Sequence, residues 1–212
     1  MDVHELLSPH FHERGDWEVL GTVVHYTAGG RASGSARWFQ NPDSHVSAQY
    51  VVGRSGAVWR CVPERLAAWH AGVSEMVIDG ESLSDGRGSA NAFTIGIELA
   101  NHGLLTSLNG DFYYEIGGSL RRYRGPEPEP ATLVYDSGLE VDGWWEPYPD
   151  EQLNTLQELL RGIAKRHGGE AARNLVGHEE IAMPLGTRKR DPGPLFPWER
   201  FSRRGPRRTS RG

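Results

Sequence analysis

The chain has 212 residues, 37% of them hydrophobic and 24% charged, with a formal net charge of −5. This is the composition of a globular protein with one moderate core: no apolar run approaches the ~20 residues of a membrane span, and a single cysteine, Cys61, excludes an internal disulfide. Arg203, Arg204, Arg207, Arg208 and Arg211 crowd the last ten residues, and setting those five aside leaves −10 on the remainder, so the body is acidic and no nucleic-acid partner is expected.

The opening stretch, MDVHELLSPHFHERGDW, lacks the basic start and apolar run of a secretory signal, which predicts cytoplasmic localisation at synthesis, with action on the cell wall left to later release. Residues 1–18 read as an N-terminal extension, with His4, His10 and His12 outside regular structure. VLGTVVHYT, 19–27, is a β-branched run closed by AGG, the pattern of a buried strand with His25 near its C-terminal end. Ala36, Trp38 and Phe39 have helical spacing within a short helix over 33–40. VSAQYVVG and AVWRCVP flank RSG, which predicts a hairpin.

LAAWHAGVS, 66–74, reads as a short helix or loop carrying Trp69 and His70. FTIGIELA, 93–100, alternates as a strand with Phe93, Ile95, Ile97 and Leu99 on one face and Thr94, Gly96, Glu98 and Ala100 on the other. Glu98 is the anomaly, because a carboxylate in a central strand needs a partner or a task. Residues 104–147 read as an insertion, with a hairpin turning at Asn109-Gly110 and a GPEPEP spacer expected to lie outside regular structure. Leu153, Leu156, Leu159, Leu160 and Ile163 then mark the longest helix, with Asp150 as its cap and Gly168 at its end. NLVGH is a short strand ending at His178, and residues 202–212 form a basic tail expected to be disordered.

Three metal-capable side chains stand at strand ends or constrained turns: His25, His178 and Asp191, the last in KRDPGP, where Pro192 and Gly193 restrict the backbone. Two imidazoles and a carboxylate suit Zn²⁺ and leave a coordination position open, as catalysis requires. On residue types alone, a strand histidine such as His25 is more often a hydrogen-bonded core residue, and His178 before two glutamates equally suits a helix cap. No short-spacing motif joins them.

A resemblance adds to this. VVHYTAGG, HVSAQYVVGRSGAVWRCV, AWHAGVS, NAFTIGIELAN and LVGHEEIAMPLGTRKRDPGPLFPW stand in the order seen in zinc-dependent N-acetylmuramoyl-L-alanine amidases of the amidase-2 class, relatives of peptidoglycan recognition proteins. The chain resembles them over most of residues 19–201. The resemblance implies a single α/β domain with a central mixed sheet flanked by helices, with zinc at the sheet's edge. It implies zinc ligands at His25, His178 and Asp191, a catalytic pair at Glu98 and Lys189, groove contacts from Trp69 and His70, and peptidoglycan or a muropeptide as substrate. Where several relatives carry a catalytic tyrosine this chain has Ala48, followed by Gln49, which points to the glutamate-dependent subclass. A noncatalytic peptidoglycan-binding module and a zinc peptidase acting within the stem peptide are the alternatives.

Overall fold

The first residues belong to the sheet. In the computed structural model, which describes residues 2–186 and 188–201, β1 (Val3–Glu5) pairs in parallel with a strand of the main sheet, and β2 (Phe11–Glu13) forms a separate two-stranded ladder. His4 and His12 therefore lie in strands, and His10 is buried with its Nε2 2.8 Å from the Asn41 carbonyl. Three-residue strands carry too little hydrophobic pattern to be read, and they persist here because each completes a ladder.

Next come β3 (Gly21–Tyr26), α1 (Ala32–Trp38), β4 (Tyr50–Val52), β5 (Val58–Arg60) and β6 (Leu66–Ala68). β4 and β5 form the expected antiparallel hairpin, whereas Leu66–Ala68 is a strand paired with β2 instead of a helix. A second hairpin, β7 (Met76–Ile78) and β8 (Glu81–Leu83), precedes the central strand β9 (Thr94–Leu99). The segment read as an insertion folds as five strands: β10 (Leu104–Leu108), β11 (Asp111–Ile116), β12 (Ser119–Arg122), β13 (Glu129–Val134) and β14 (Glu140–Trp145). Its first turn falls at Asn109 and Gly110, both with positive φ, as a two-residue hairpin turn requires. Contrary to the spacer reading of GPEPEP, Glu129 and Pro130 begin β13; the strand lies at the edge of its sheet, where a residue lacking an N–H is tolerated.

The chain ends in α2 (Asp150–His167), α3 (Gly169–Arg173), β15 (Leu175–Gly177) and α4 (His178–Ile181). The apolar stripe of α2 is buried as its spacing predicts, but Pro149 occupies the cap position and Asp150 instead pairs with Arg200 at 2.5 Å. The basic tail expected over 202–212 lies outside the described residues. No helix among the described residues is long and apolar enough to cross a membrane.

The main sheet has the order β1-β5-β4-β9-β3-β15, parallel except for the β4–β5 pair. One face of it, with Val24, Ile95, Ile97 and Leu99, packs on Leu153, Leu156, Leu159, Leu160 and Ile163 of α2. On the other, α1 covers Val51 through Ala32 and Ala36, while Val23 and Val176 meet Phe93, Met76 and Ile181. Burying each large side chain in such a core is worth about 1.5–3 kcal/mol. Gln152 ties α2 to the sheet by donating to the carbonyls of Val52 and Ala100, at 2.9 and 3.2 Å.

Glu64 fastens the loop after β5 to the last turn of α2. Its carboxylate accepts from Arg166 Nε and Nη2 at 2.7 and 2.6 Å and from Tyr50 Oη at 2.7 Å, and it lies 2.8 Å from His167 Nε2. Burial alone would raise this carboxyl, but the hydrogen bonds from Arg166, Tyr50 and His167 prevail and hold it at about 2. Because the folded value lies below the ~4.3 of an unfolded glutamate, the stabilisation is complete above that pH and is lost as pH falls toward 2. Glu64→Gln is expected to cost about 2 kcal/mol at pH 7 and to lose less further stability between pH 5 and 2 than the parent. Thermal melts of both proteins across that range check this, and parallel pH profiles would contradict it.

Candidate metal centre

In a parallel sheet, register decides which side chains share a face and an end. His25 lies beside Glu98 in the β3–β9 ladder, both near the C-terminal ends of their strands, and β15 delivers His178 at the same end. This face is the one opposite α2, since Val24 and Ile97, one residue away from each, pack on that helix. Gly177 N–H donates to Glu180 Oε2 at 2.7 Å, fixing the turn from β15 into α4 and with it the direction of His178. Glu179 N–H donates to the Asp191 carbonyl at 3.1 Å and so brings the KRDPGP loop alongside.

Three atoms converge there. His25 Nδ1 and His178 Nδ1 are 3.0 Å apart, and each lies 2.9 Å from Asp191 Oδ2; all three residues are buried. His178 Nε2 faces the Ala71 carbonyl at 3.2 Å, and a carbonyl can only accept, so the proton of a neutral ring sits on Nε2 and leaves the Nδ1 lone pair for a metal. One proton inside the triangle could relieve one or two of its edges, whereas a cation relieves all three. Zinc ligands at 2.0–2.1 Å in a tetrahedron stand about 3.4 Å apart, so the triangle needs to open by only about half an ångström. Among the described residues this is the one cluster of histidine, cysteine and acidic groups whose ligand atoms could share a metal ion.

The electrostatics suit the same purpose. Burial and then the neighbouring His178 lower His25 to about 4, so it is neutral at pH 7. Burial alone would raise Asp191, but the two imidazoles facing it prevail and hold it well below the usual carboxylate range. A neutral imidazole and an ionised carboxylate are the forms that bind zinc.

Glu98 is half-buried, and its Oε2 is shielded from solvent with no hydrogen-bond partner among the described residues. Burial, and then Asp191, push its carboxyl well up, while the charge of Lys189 opposes them. Such an orphaned oxygen beside a cluster of metal-capable side chains marks Glu98 as a candidate working group. Lys189 is half-buried and close enough to act on both Glu98 and His25. Cys61 has no such role, since burial and then Glu98 push its thiol up to about 12.

The two residues expected in the groove each have partners within the fold. His70 is buried behind His25, with its Nδ1 3.1 Å from His25 Nε2 and its Nε2 3.2 Å from Thr94 Oγ1, so both ring nitrogens are engaged. Trp69 donates its indole N–H to His12 Nδ1 at 3.0 Å and packs at 5.4 Å against His10, which makes it a docking post for the N-terminal strands. Gln49 is likewise structural, bridging Gly96 N–H and the Leu66 carbonyl.

Sequence reasoning missed the residues that hold the KRDPGP loop. Tyr135 Oη donates to the Lys189 carbonyl and Tyr148 Oη to the Pro192 carbonyl, each at 2.7 Å, and Trp145 packs where a Cβ on Gly193 would sit, 3.0 Å from its ring. Tyr135 and Trp145 belong to the insertion, so part of that insertion is a buttress for the loop carrying Lys189 and Asp191. The aromatic spacing that could have signalled this is indistinguishable from ordinary core packing.

Residues 16–194 match the family described as N-acetylmuramoyl-L-alanine amidase. The chain is 30% identical over 190 residues to N-acetylmuramoyl-L-alanine amidase AmiD of Escherichia coli K12, covering 86% of this chain but 52% of that relative, so it spans about half of AmiD's length. It is 27% identical to the 1,6-anhydro-N-acetylmuramyl-L-alanine amidase AmpD of Haemophilus influenzae, over 94% of this chain and 90% of that one. The fold is similar to a crystal structure of an AmpD derivative, with a TM-score of 0.59 at 26% identity, over 94% and 92% of the two chains. With the mixed sheet and its His-His-Asp cluster, these similarities make the chain a member of the N-acetylmuramoyl-L-alanine amidase family.

Proposed function

We propose that this chain is a zinc hydrolase that cleaves the amide between the lactyl group of N-acetylmuramic acid and the L-alanine of the stem peptide, in peptidoglycan or a soluble muropeptide. The observation that carries the reading is the buried triangle of His25, His178 and Asp191 with a Glu98 oxygen, unpaired among the described residues, on the same sheet face and at the same end. His25 Nδ1, His178 Nδ1 and Asp191 Oδ2 would hold the metal, leaving a coordination position that no protein ligand fills. The chemistry a bound zinc supplies is Lewis acidity toward water and toward an amide carbonyl.

The rest falls to the protein. Glu98 takes the proton of the attacking water and returns it to the leaving amine of L-alanine, a task suited to a carboxylate whose burial favours its protonated form. Lys189 places a positive charge in the same cleft, where it stabilises the oxyanion. The full ligand set speaks for catalysis over a binding-only module.

Mass spectrometry of products from intact sacculi and from soluble anhydromuropeptide tests the assignment: free stem peptide beginning at L-alanine is expected, and cleavage within the peptide would overturn it. Lys189→Ala is expected to retain zinc and to lower kcat about 100-fold, the usual cost of one oxyanion donor. It should also move the acid limb of the kcat/KM profile to higher pH, because the charge of Lys189 is what favours ionised Glu98. Unchanged turnover at normal metal content would remove Lys189 from the mechanism.

A further inference from the structure

The rear nitrogens of both ligand histidines meet one dipeptide. His25 Nε2 faces His70 Nδ1 at 3.1 Å, and His178 Nε2 faces the carbonyl of the next residue, Ala71, at 3.2 Å. That dipeptide is fixed in turn: Asn91 Oδ1 accepts from the backbone N–H groups of His70 and Ala71, at 3.1 and 2.9 Å. The His70 ring lies against Gly96 of β9, where any Cβ would fall 2.5 Å from its Cγ, so glycine at that position makes room for the imidazole.

The direction of the hydrogen bonds follows from the end of the chain. Thr94 Oγ1 lies 2.7 Å from the Ala90 carbonyl, which can only accept, so the hydroxyl proton points there and Oγ1 receives from His70 Nε2–H at 3.2 Å. A neutral His70 protonated on Nε2 has a bare Nδ1, which must accept from His25 Nε2–H. His25 is then left with its lone pair on Nδ1, the atom that faces His178 and Asp191.

We propose that His70 and Ala71 are a positioning template for the metal centre, with Thr94 and the Ala90 carbonyl setting the tautomer of His25 through His70. This rests on the reading of the cluster as a zinc centre and assigns His70 a role behind the ligands. Partners of this kind orient metal-bound imidazoles, and their loss typically costs about 10–100-fold in metal affinity.

Thr94→Val keeps the shape of the side chain and removes only the hydroxyl. Zinc affinity, measured by competition with a chelator of known strength, is expected to fall about 10-fold in Thr94→Val and to recover in Thr94→Ser. His70→Phe should lose more, and should its fold fail, the threonine pair still decides the matter. In the zinc-loaded parent, long-range ¹H–¹⁵N spectra of the histidine rings should show His70 and His25 protonated on Nε2, with the His70 tautomer becoming mixed in Thr94→Val. Parental zinc affinity in Thr94→Val, or a proton on His70 Nδ1 in the parent, would overturn the template. A parent that takes up no zinc would overturn the zinc reading itself, and the template with it.

Discussion

Glu98→Gln is expected to bind one zinc per chain, to melt within a few degrees of the parent, and to lose about 10³-fold in kcat. Glutamine matches glutamate in shape but cannot take up a proton, and positioned general acid–base catalysis contributes about 10²–10⁴-fold. Stability should change little, because Oε2 makes no hydrogen bond among the described residues that the variant could lose. The carboxyl is pushed up by burial and then by Asp191, and the base form is lost as pH falls through its pKa. The parent should therefore show an acid limb in kcat/KM that the variant lacks. Steady-state rates on a defined muropeptide, together with metal analysis, separate the outcomes: activity within about fivefold of the parent would move the proton transfer to another group.

Glu98 was legible because it breaks a pattern. Its neighbours Ile97 and Leu99 pack on the α2 side of the sheet, as their alternation requires, and the same alternation turns Glu98 to the opposite face beside His25. The stripe of α2 was legible for the equivalent reason at a period of 3.6. By contrast, β1, β2 and β6 span three residues each, and what makes them strands is pairing between segments more than fifty positions apart in sequence, which no local window contains. Composition misled in β13, where GPEPEP looks like a spacer and the edge of a sheet accepts its last two residues, Glu129 and Pro130.

The site divides along the same line. Residue chemistry could nominate His25, His178 and Asp191, but their convergence depends on β3 and β15 being adjacent in the sheet and on Glu179 holding the Asp191 backbone. The place of His70 could not be read locally either. The resemblance alone put it in the groove, and only the missing side chain of Gly96, on a strand some twenty-five residues away, creates the slot in which it is buried.

Asp191→Asn is the sharpest test of the metal centre, because it removes a charge while preserving size. Asp191 supplies the one negative ligand of the three, and a neutral amide oxygen beside two neutral imidazoles binds Zn²⁺ far more weakly. The variant is expected to retain less than about a tenth of an equivalent of zinc after dialysis and to lose about 10⁴-fold or more in kcat. Stability should separate loss of metal from loss of fold. A ligand bound at 1,000 times its Kd stabilises the folded state by about 4 kcal/mol, so chelation should lower the Tm of the parent and leave that of Asp191→Asn unchanged. In the metal-free parent the two imidazoles hold the buried Asp191 carboxyl well below the usual carboxylate range, so the ionised carboxylate stabilises the folded state. Removing that charge loses this stabilisation, so metal-free Asp191→Asn should melt below the metal-free parent. Stoichiometric zinc in the variant, or a parent whose Tm ignores the chelator, would mean that these three side chains do not hold the ion.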